Sequence, residues 1–196
     1  MALSYRKKQQ GFTIIELIVV VAILGVISSI TLTSYSKFGG KILLRNLAYD
    51  VALSIRQAQV YGISARSFLG AQFSVGHGVY MDFSEGKDKF FLYTDVDNNN
   101  FFTSAATEWV ETFSIGKGYS LEKFCIPTGP TTEDCTPTKL DILFKRPEPD
   151  AIIRTSLGSG FTKYDRVRIV VKSPQGDMLS VLVETTGQIS IQRYDQ

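Results

Sequence analysis

"RKKQQGFTIIELIVVVAILGVISSI", residues 6–30, decides how the rest of the chain is read. From Phe12 to Leu32 the sequence is almost wholly apolar, 21 residues counted from 12 through 32. That is close to the ~20 residues that cross a bilayer as a helix. Arg6, Lys7 and Lys8 precede the run, with no acid among them. Thr13, Ser28, Ser29 and Thr31 are tolerable inside a span, because their hydroxyls can bond back to the helix backbone. Glu16 is the residue out of place. A charge at the bilayer centre costs on the order of 2.5–3.5 kcal/mol on insertion scales. Glu16 lies only four residues past Phe12, roughly 6 Å deep at 1.5 Å per residue, so its carboxylate can still reach the interface. Shallow placement explains why a membrane tolerates Glu16 but gives no reason to have it.

Two plain readings compete for this segment. A secretory signal peptide has a basic start and an apolar stretch, but that stretch is usually about 7–15 residues and ends in a small-residue cleavage site. "SYS" at 34–36 is the nearest candidate. A simple single-span anchor is the other. Its orientation is undecided by charge, since Arg6, Lys7 and Lys8 are matched by Lys37, Lys41 and Arg45, and a long domain translocates largely regardless of its flanks.

The residues "KKQQGFTIIELIVVVAILGVISSI", 7–30, resemble the N-terminus of type IV prepilins and type II secretion pseudopilins. That family has a short basic leader ending in Gly, then Phe-Thr-x-x-Glu-Leu and an apolar helix. The resemblance implies cutting by a prepilin peptidase between Gly11 and Phe12 and N-methylation of Phe12. It implies a mature chain of 196 − 11 = 185 residues. It also implies a single pass in the inner (cytoplasmic) membrane with the head outside the cytoplasm. Other pilin or pseudopilin subunits and an inner-membrane assembly platform are the implied partners. The end point is a periplasmic pseudopilus, a surface pilus or a competence filament. The chain departs from the pattern late in the span, where Thr33 stands about where a proline is usual.

The chemistry of the motif follows from its residue types. The leader supplies a cationic anchor, and Gly11 has no side chain to obstruct a narrow protease cleft. Cutting there frees an ammonium at Phe12, four residues from Glu16 on the same helical face. In a bundle of such helices Glu16 can instead meet the ammonium of a neighbouring subunit. At low dielectric that attraction is strong and a lone partner is costly, so Glu16 rewards one axial register.

Beyond the first forty residues about 155 remain, the size of one ordinary domain. The formal net charge is +2, and without Arg6, Lys7 and Lys8 it becomes 2 − 3 = −1, so the basic balance belongs to the leader rather than to a nucleic-acid surface. In residues 41–67, Leu44, Leu47, Ala48, Val51, Ile55 and Ala58 recur at helical spacing, with Arg45, Asn46, Asp50 and Arg56 largely elsewhere. Gly39-Gly40 is a candidate kink, and Gly62 and Ser64 mark the end.

After residue 67 the period becomes two. "GVYMDF", "KFFLYTD", "EWVETFSI", "KLDILF", "DRVRIVVK" and a closing pair about Gly187 read as strands. Val79, Met81 and Phe83 fall on one face, with Tyr80 and Asp82 on the other. The expected fold is α+β, a long N-terminal helix packed on a mainly antiparallel sheet head. Its parts are a leader at 1–11, a transmembrane and filament-core helix at 12–33, a second helical half at 34–67 and a head at 68–196. "LRNLAYDVALSIRQAQ", "LDILFKRP" and the closing "VVKSPQGDMLSVLVETTGQISI" resemble the GspH/FimT-like branch of the pilin family.

Four features of the head invite a function. Cys125 and Cys135 bracket a Pro-, Thr- and Gly-rich loop; they fit a disulfide if the head lies outside the cytoplasm, and otherwise two free thiols. In "DVDNNNFFTSAATE", residues 95–108, Asp95, Asp97 and Asn99 have the 1-3-5 spacing that calcium loops use. The sixth position is Asn100, which tolerates a left-handed backbone, while the twelfth is Ala106 and Glu108 comes two residues late. The alternative is a solvated polar hairpin. Arg166, Arg168 and Lys172 share a strand face, either a DNA-binding surface of the kind some minor pilins of this branch use or an ordinary solvated face. His77, between Gly76 and Gly78, reads as a turn, and as the single histidine it builds neither a metal cluster nor a triad. "GGK" at 39–41 lacks the full phosphate-loop pattern.

The expectation is therefore a non-enzymatic filament subunit without a required cofactor. A DNA- or surface-ligand-binding tip subunit is the first rival, and a bitopic membrane protein with a prepilin-like start is the second.

Overall fold

Helix α1 (Ile14–Ile63) begins at a hydroxyl. Thr13 precedes the first helical residue, and its Oγ1 accepts from the Glu16 N–H at 3.3 Å, satisfying one of the free donors at the helix start. The computed structural model describes residues 11–64, 75–129, 132–157 and 160–194. Arg6, Lys7 and Lys8 of the leader, and residues 65–67 of the expected second helical half, lie outside these. Two compact units divide the chain, Met1–Gly39 and Gly40–Gln196.

In the first unit, Ile14–Leu32 is long and apolar enough to cross a membrane, and none of it is buried within the protein. Its hydroxyls bond back as expected: Ser29 Oγ donates to the Gly25 carbonyl at 2.8 Å and Thr31 Oγ1 to that of Ile27 at 3.1 Å. The helical assignment is unbroken through Thr33, Gly39 and Gly40.

In the second unit the rest of α1 leads, among the described residues, into eleven strands and a short helix. The strands are β1 (Gly76–Asp82), β2 (Lys89–Asp95), β3 (Trp109–Ser114), β4 (Ser120–Pro127), β5 (Glu133–Asp134), β6 (Lys139–Lys145), β7 (Glu148–Leu157), β8 (Gly160–Tyr164), β9 (Arg166–Lys172), β10 (Met178–Glu184) and β11 (Ile189–Arg193). Helix α2 (Ala105–Glu108) precedes β3. One sheet runs β3-β2-β1-β6-β7-β8 and the other β11-β10-β9-β4-β5, and the strand pairs are antiparallel. The architecture is the expected α+β.

One core draws on the helix and both sheets. Leu44, Leu47, Ala48, Val51, Ile55 and Ala58 of α1, the stripe read from the sequence, are all buried in it. Val79, Met81, Leu140, Ile142 and Phe144 join from the first sheet, and Phe124, Val167, Ile169, Val171 and Val181 from the second. At about 25 cal/mol per Å² of apolar area removed from water, each of the larger side chains contributes roughly 1.5–3 kcal/mol. Polar bonds fix the helix at both ends of the stripe: Tyr119 Oη donates to the Gly40 carbonyl at 3.0 Å, and Gln59 Nε2 to those of Pro149 at 3.3 Å and Gly187 at 3.2 Å.

Tyr80 and Asp82 lie on the side of β1 away from Val79 and Met81, and they too are buried. A second cluster of Tyr80, Tyr93 and Leu143, packed with Phe91, Phe102 and Ile152, covers that side of the sheet. Asp82 is accordingly paired with Lys139 at 2.9 Å and bonded by Ser84 and Tyr80. His77 is in strand β1, not in a turn, and is buried with its ring edge-on to Tyr61 at 5.8 Å. Its glycine neighbours make room instead of bending the chain. A Cβ at Gly76 would come 2.8 Å from Leu143 Cδ1, and one at Gly78 would come 2.6 Å from both the Ile142 carbonyl and the Tyr93 ring. Finally, the segment between the cysteines is not purely loop, since Cys125 belongs to β4 and Glu133–Asp134 pair with that strand as β5. Cys125 and Cys135 form the disulfide.

Candidate functional site

At the N-terminus the structure puts Gly11 and Phe12 ahead of the helix and Glu16 in its first turn, all three exposed. The spacing Thr13-x-x-Glu16 is that of a capping box, and the Thr13 half of it is formed. A peptide bond just outside a helix end is open to a protease, while the residues one turn further in are committed to helical hydrogen bonds. The second unit carries an exposed apolar line of its own. In the second unit, Ile42, Tyr49, Leu53 and Val60 are between 45% and 64% exposed. At 100° per residue they fall within about 40° of one another, opposite the buried stripe. This second apolar line was hidden in the sequence by Arg45, Asn46, Asp50 and Arg56 scattered around it.

Two of the three basic residues on the β9 face are held by acids. Arg168 makes a two-pronged contact with Glu133, Nε to Oε2 at 3.0 Å and Nη2 to Oε1 at 3.0 Å, and also reaches Ser180 and Gln192. Lys172 lies 3.4 Å from Glu122. Arg166 stands opposite Glu184 in the ladder with β10. Arg166, Arg168 and Lys172 thus share a face, as their spacing requires, with an acid beside each.

The loop from Asp95 to Glu108 folds over the outer side of the first sheet. Its geometry is set by side chains bonding its own backbone. Asp97 Oδ1 accepts from the Asn99 N–H at 3.2 Å, Asn99 Oδ1 from Phe101 at 2.9 Å, and Ser104 Oγ from Ala106 at 3.2 Å, the last capping α2. Asn98 and Asn100 take left-handed φ values of 62° and 66°, the conformation that makes Asn an acceptable substitute for Gly there. Phe102 docks the loop: its ring stacks on Tyr80 at 4.6 Å and meets Tyr93 edge-on at 5.3 Å, while its N–H donates to Asp141 Oδ2 at 2.7 Å. Asp141 also accepts from Tyr93 Oη at 2.5 Å. Burial pushes the Asp141 carboxyl up to about 7, against the pull of those two donors.

This loop is not the solvated hairpin of the plain reading. Asp95 and Glu108 are 0% and 1% exposed, and burial raises the proton affinity of both. Of the expected three residues, the carboxylates of Asp95 and Asp97 come together. Asn99 turns its carbonyl oxygen to Phe101, and its amide nitrogen donates to Asp97 Oδ2 at 2.7 Å. The group that converges is Asp95, Asp97 and Glu108. Glu108 falls outside a twelve-position helix–loop–helix count because α2 adds a turn before it arrives.

Among known families, a profile described as the prokaryotic N-terminal methylation motif matches residues 6–32. No curated protein and no solved structure matches the chain. The motif implies processing by a prepilin peptidase and assembly with other pilin-type subunits. With the apolar span Ile14–Leu32, it supports a type IV pilin-like or pseudopilin chain anchored in a membrane before assembly.

Proposed function

We propose that this chain is a structural subunit of a type IV pilus-like or type II secretion pseudopilus filament, cut after Gly11, methylated at Phe12 and set in register by Glu16. The observation that carries the reading is the conjunction of the methylation motif over residues 6–32 with a span whose apolar side chains are all unburied within the protein. Such a span is at home in lipid before assembly and among neighbouring helices after it. The outward line of Ile42, Tyr49, Leu53 and Val60 extends the same need beyond the span, and its fitting occupant is the corresponding helix of another subunit. Before the cut the head lies outside the cytoplasm, which suits the disulfide. We read the head as belonging to the GspH/FimT-like branch, supported by the apolar pattern of α1 and the closing β9–β11 strands. We also read it as structural rather than DNA-binding, because Arg168 and Lys172 already hold acidic partners.

Intact mass of the protein recovered from membranes tests the processing step. The expected species lacks residues 1–11 and carries one added methyl group on Phe12. A chain retaining its leader in cells that process other prepilins excludes the proposal.

A further inference from the structure

The end of β2, the loop after it and the end of α2 bring three carboxylates to one place. One carboxylate oxygen each from Asp95, Asp97 and Glu108 lies within 4.8 Å of the other two. Asp97 is exposed, while Asp95 and Glu108 are buried. Each buried carboxylate has one oxygen satisfied by the loop backbone: Asp95 Oδ2 accepts from the Asn100 N–H at 3.0 Å, and Glu108 Oε2 from the Thr103 N–H at 2.7 Å. The other oxygens, Asp95 Oδ1 and Glu108 Oε1, are shut off from solvent and have no protein donor. Among the described residues they are the only carboxylate oxygens left so. Buried acceptors normally find partners, and two orphaned oxygens on neighbouring anions call for a cation.

We propose that Asp95, Asp97 and Glu108 bind a hard divalent cation, calcium by preference, with Asp97 as the solvent-side ligand. The donors are all oxygen, with no imidazole or thiolate among them, which selects against zinc and copper. Calcium suits the site better than magnesium because it accepts an irregular shell of carboxylates, carbonyls and waters. Asn99 serves from behind: its amide nitrogen holds Asp97 Oδ2 and so aims the exposed carboxylate. The charge of Lys145 acts on Asp95 from across the loop, and its ammonium rests on the side-chain oxygens of Asn98 and Asn100. Burial and mutual repulsion raise the proton affinity of Asp95 and Glu108, so cation uptake displaces whatever protons they hold. The bound ion ties β2 to α2 across the loop and clamps Phe102 over Tyr80 and Tyr93. This inference does not depend on the filament reading, and its readout is independent of assembly.

The chain's single tryptophan, Trp109, directly follows Glu108, so it reports on the site. Full-length protein in detergent is titrated with terbium while indole alone is excited. Sensitised terbium emission is expected, displaced by calcium, and calcium is expected to raise the melting temperature relative to chelator. Asp97→Asn, an exposed change that leaves the packing alone, and Glu108→Gln are each expected to weaken calcium at least ten-fold. Lys145→Met is expected to tighten it. Absence of terbium emission, emission that millimolar calcium does not displace, or unchanged affinity in a folded Asp97→Asn protein overturns the proposal.

Discussion

Helix α1 lives by two rules. In Ile14–Leu32 nothing apolar is buried by the rest of the protein, and apart from Glu16 and three hydroxyl residues the side chains are apolar or glycine. Between Gly40 and Ile63 the helix is divided, with Leu44, Leu47, Ala48, Val51, Ile55 and Ala58 in the core and a second apolar line outside. An all-round apolar helix takes its environment from outside the chain, whereas a striped one takes it from its own sheets. The same residue type therefore means different things in the two halves.

The sharpest way to break that contrast is to place one charge in each half. Val51→Asp buries an unpaired carboxylate at a position with no exposure and is expected to cost more than about 4 kcal/mol, abolishing cooperative melting of the full chain in detergent. Val21→Asp, in the span, is expected to leave that melt unchanged and instead reduce the membrane-inserted fraction in cells. Equal loss of melting in both would erase the distinction. Next in size, Glu16→Ala is expected to insert and be processed normally but to lose on the order of 3–5 kcal/mol per subunit on assembly, as when one partner of a buried pair is removed. Pelleting of sheared filaments checks this, and wild-type incorporation would refute the register role. A smaller effect, confined to the head, is expected from replacing both cysteines with serine. Closing a loop of ten residues contributes about 2–3 kcal/mol in the chain-entropy account, so the melting temperature falls while membrane insertion is unaffected.

The smallest effect is a slope. Burial holds the Asp141 carboxyl up to about 7, above its ordinary 3.8, so the folded protein retains a proton there that the unfolded chain releases. Stability from this group is fully present below pH ~4 and is lost as pH rises toward ~7, at up to ~1.4 kcal/mol per pH unit. Asp95 and Glu108 carry the same sign, while Asp82 carries the opposite one. Burial works against the Asp82 charge, but its bonds to Ser84 and Lys139 outweigh that and hold the carboxyl below its ordinary value. Asp141→Asn is expected to flatten the denaturation profile by about one proton in that window. An unchanged slope would remove Asp141 as its source.

Local patterns in the sequence carried the helix stripe, the two-residue period of β1, β6, β9 and β10, and the shared face of Arg166, Arg168 and Lys172. What stayed hidden depends on distant contacts. β4 was obscured by a bulge between Leu121 and Lys123, which breaks the alternation. Gly76 and Gly78 signal a turn by composition, yet they exist because Leu143 and Tyr93 pass close by. The cover over Tyr80 stayed hidden because nothing local reveals that Phe102 folds back onto it. Asp95 and Asp97 were visible at the expected spacing, but Glu108 joined them only through the path of the loop and α2.

The polar bonds at either end of the buried helical stripe have a mechanical meaning. From Leu44 to Ala58 the helix grips the core over fourteen residue steps, ~21 Å at 1.5 Å per step. Tyr119 holds it at the near end through Gly40, and Gln59 holds it at the far end through Pro149 and Gly187. A load along the axis must shear this whole seam at once rather than peel it one contact at a time. Between Gly40 and Gln59 the helix is thus fastened like a lap joint, strongest along its own axis.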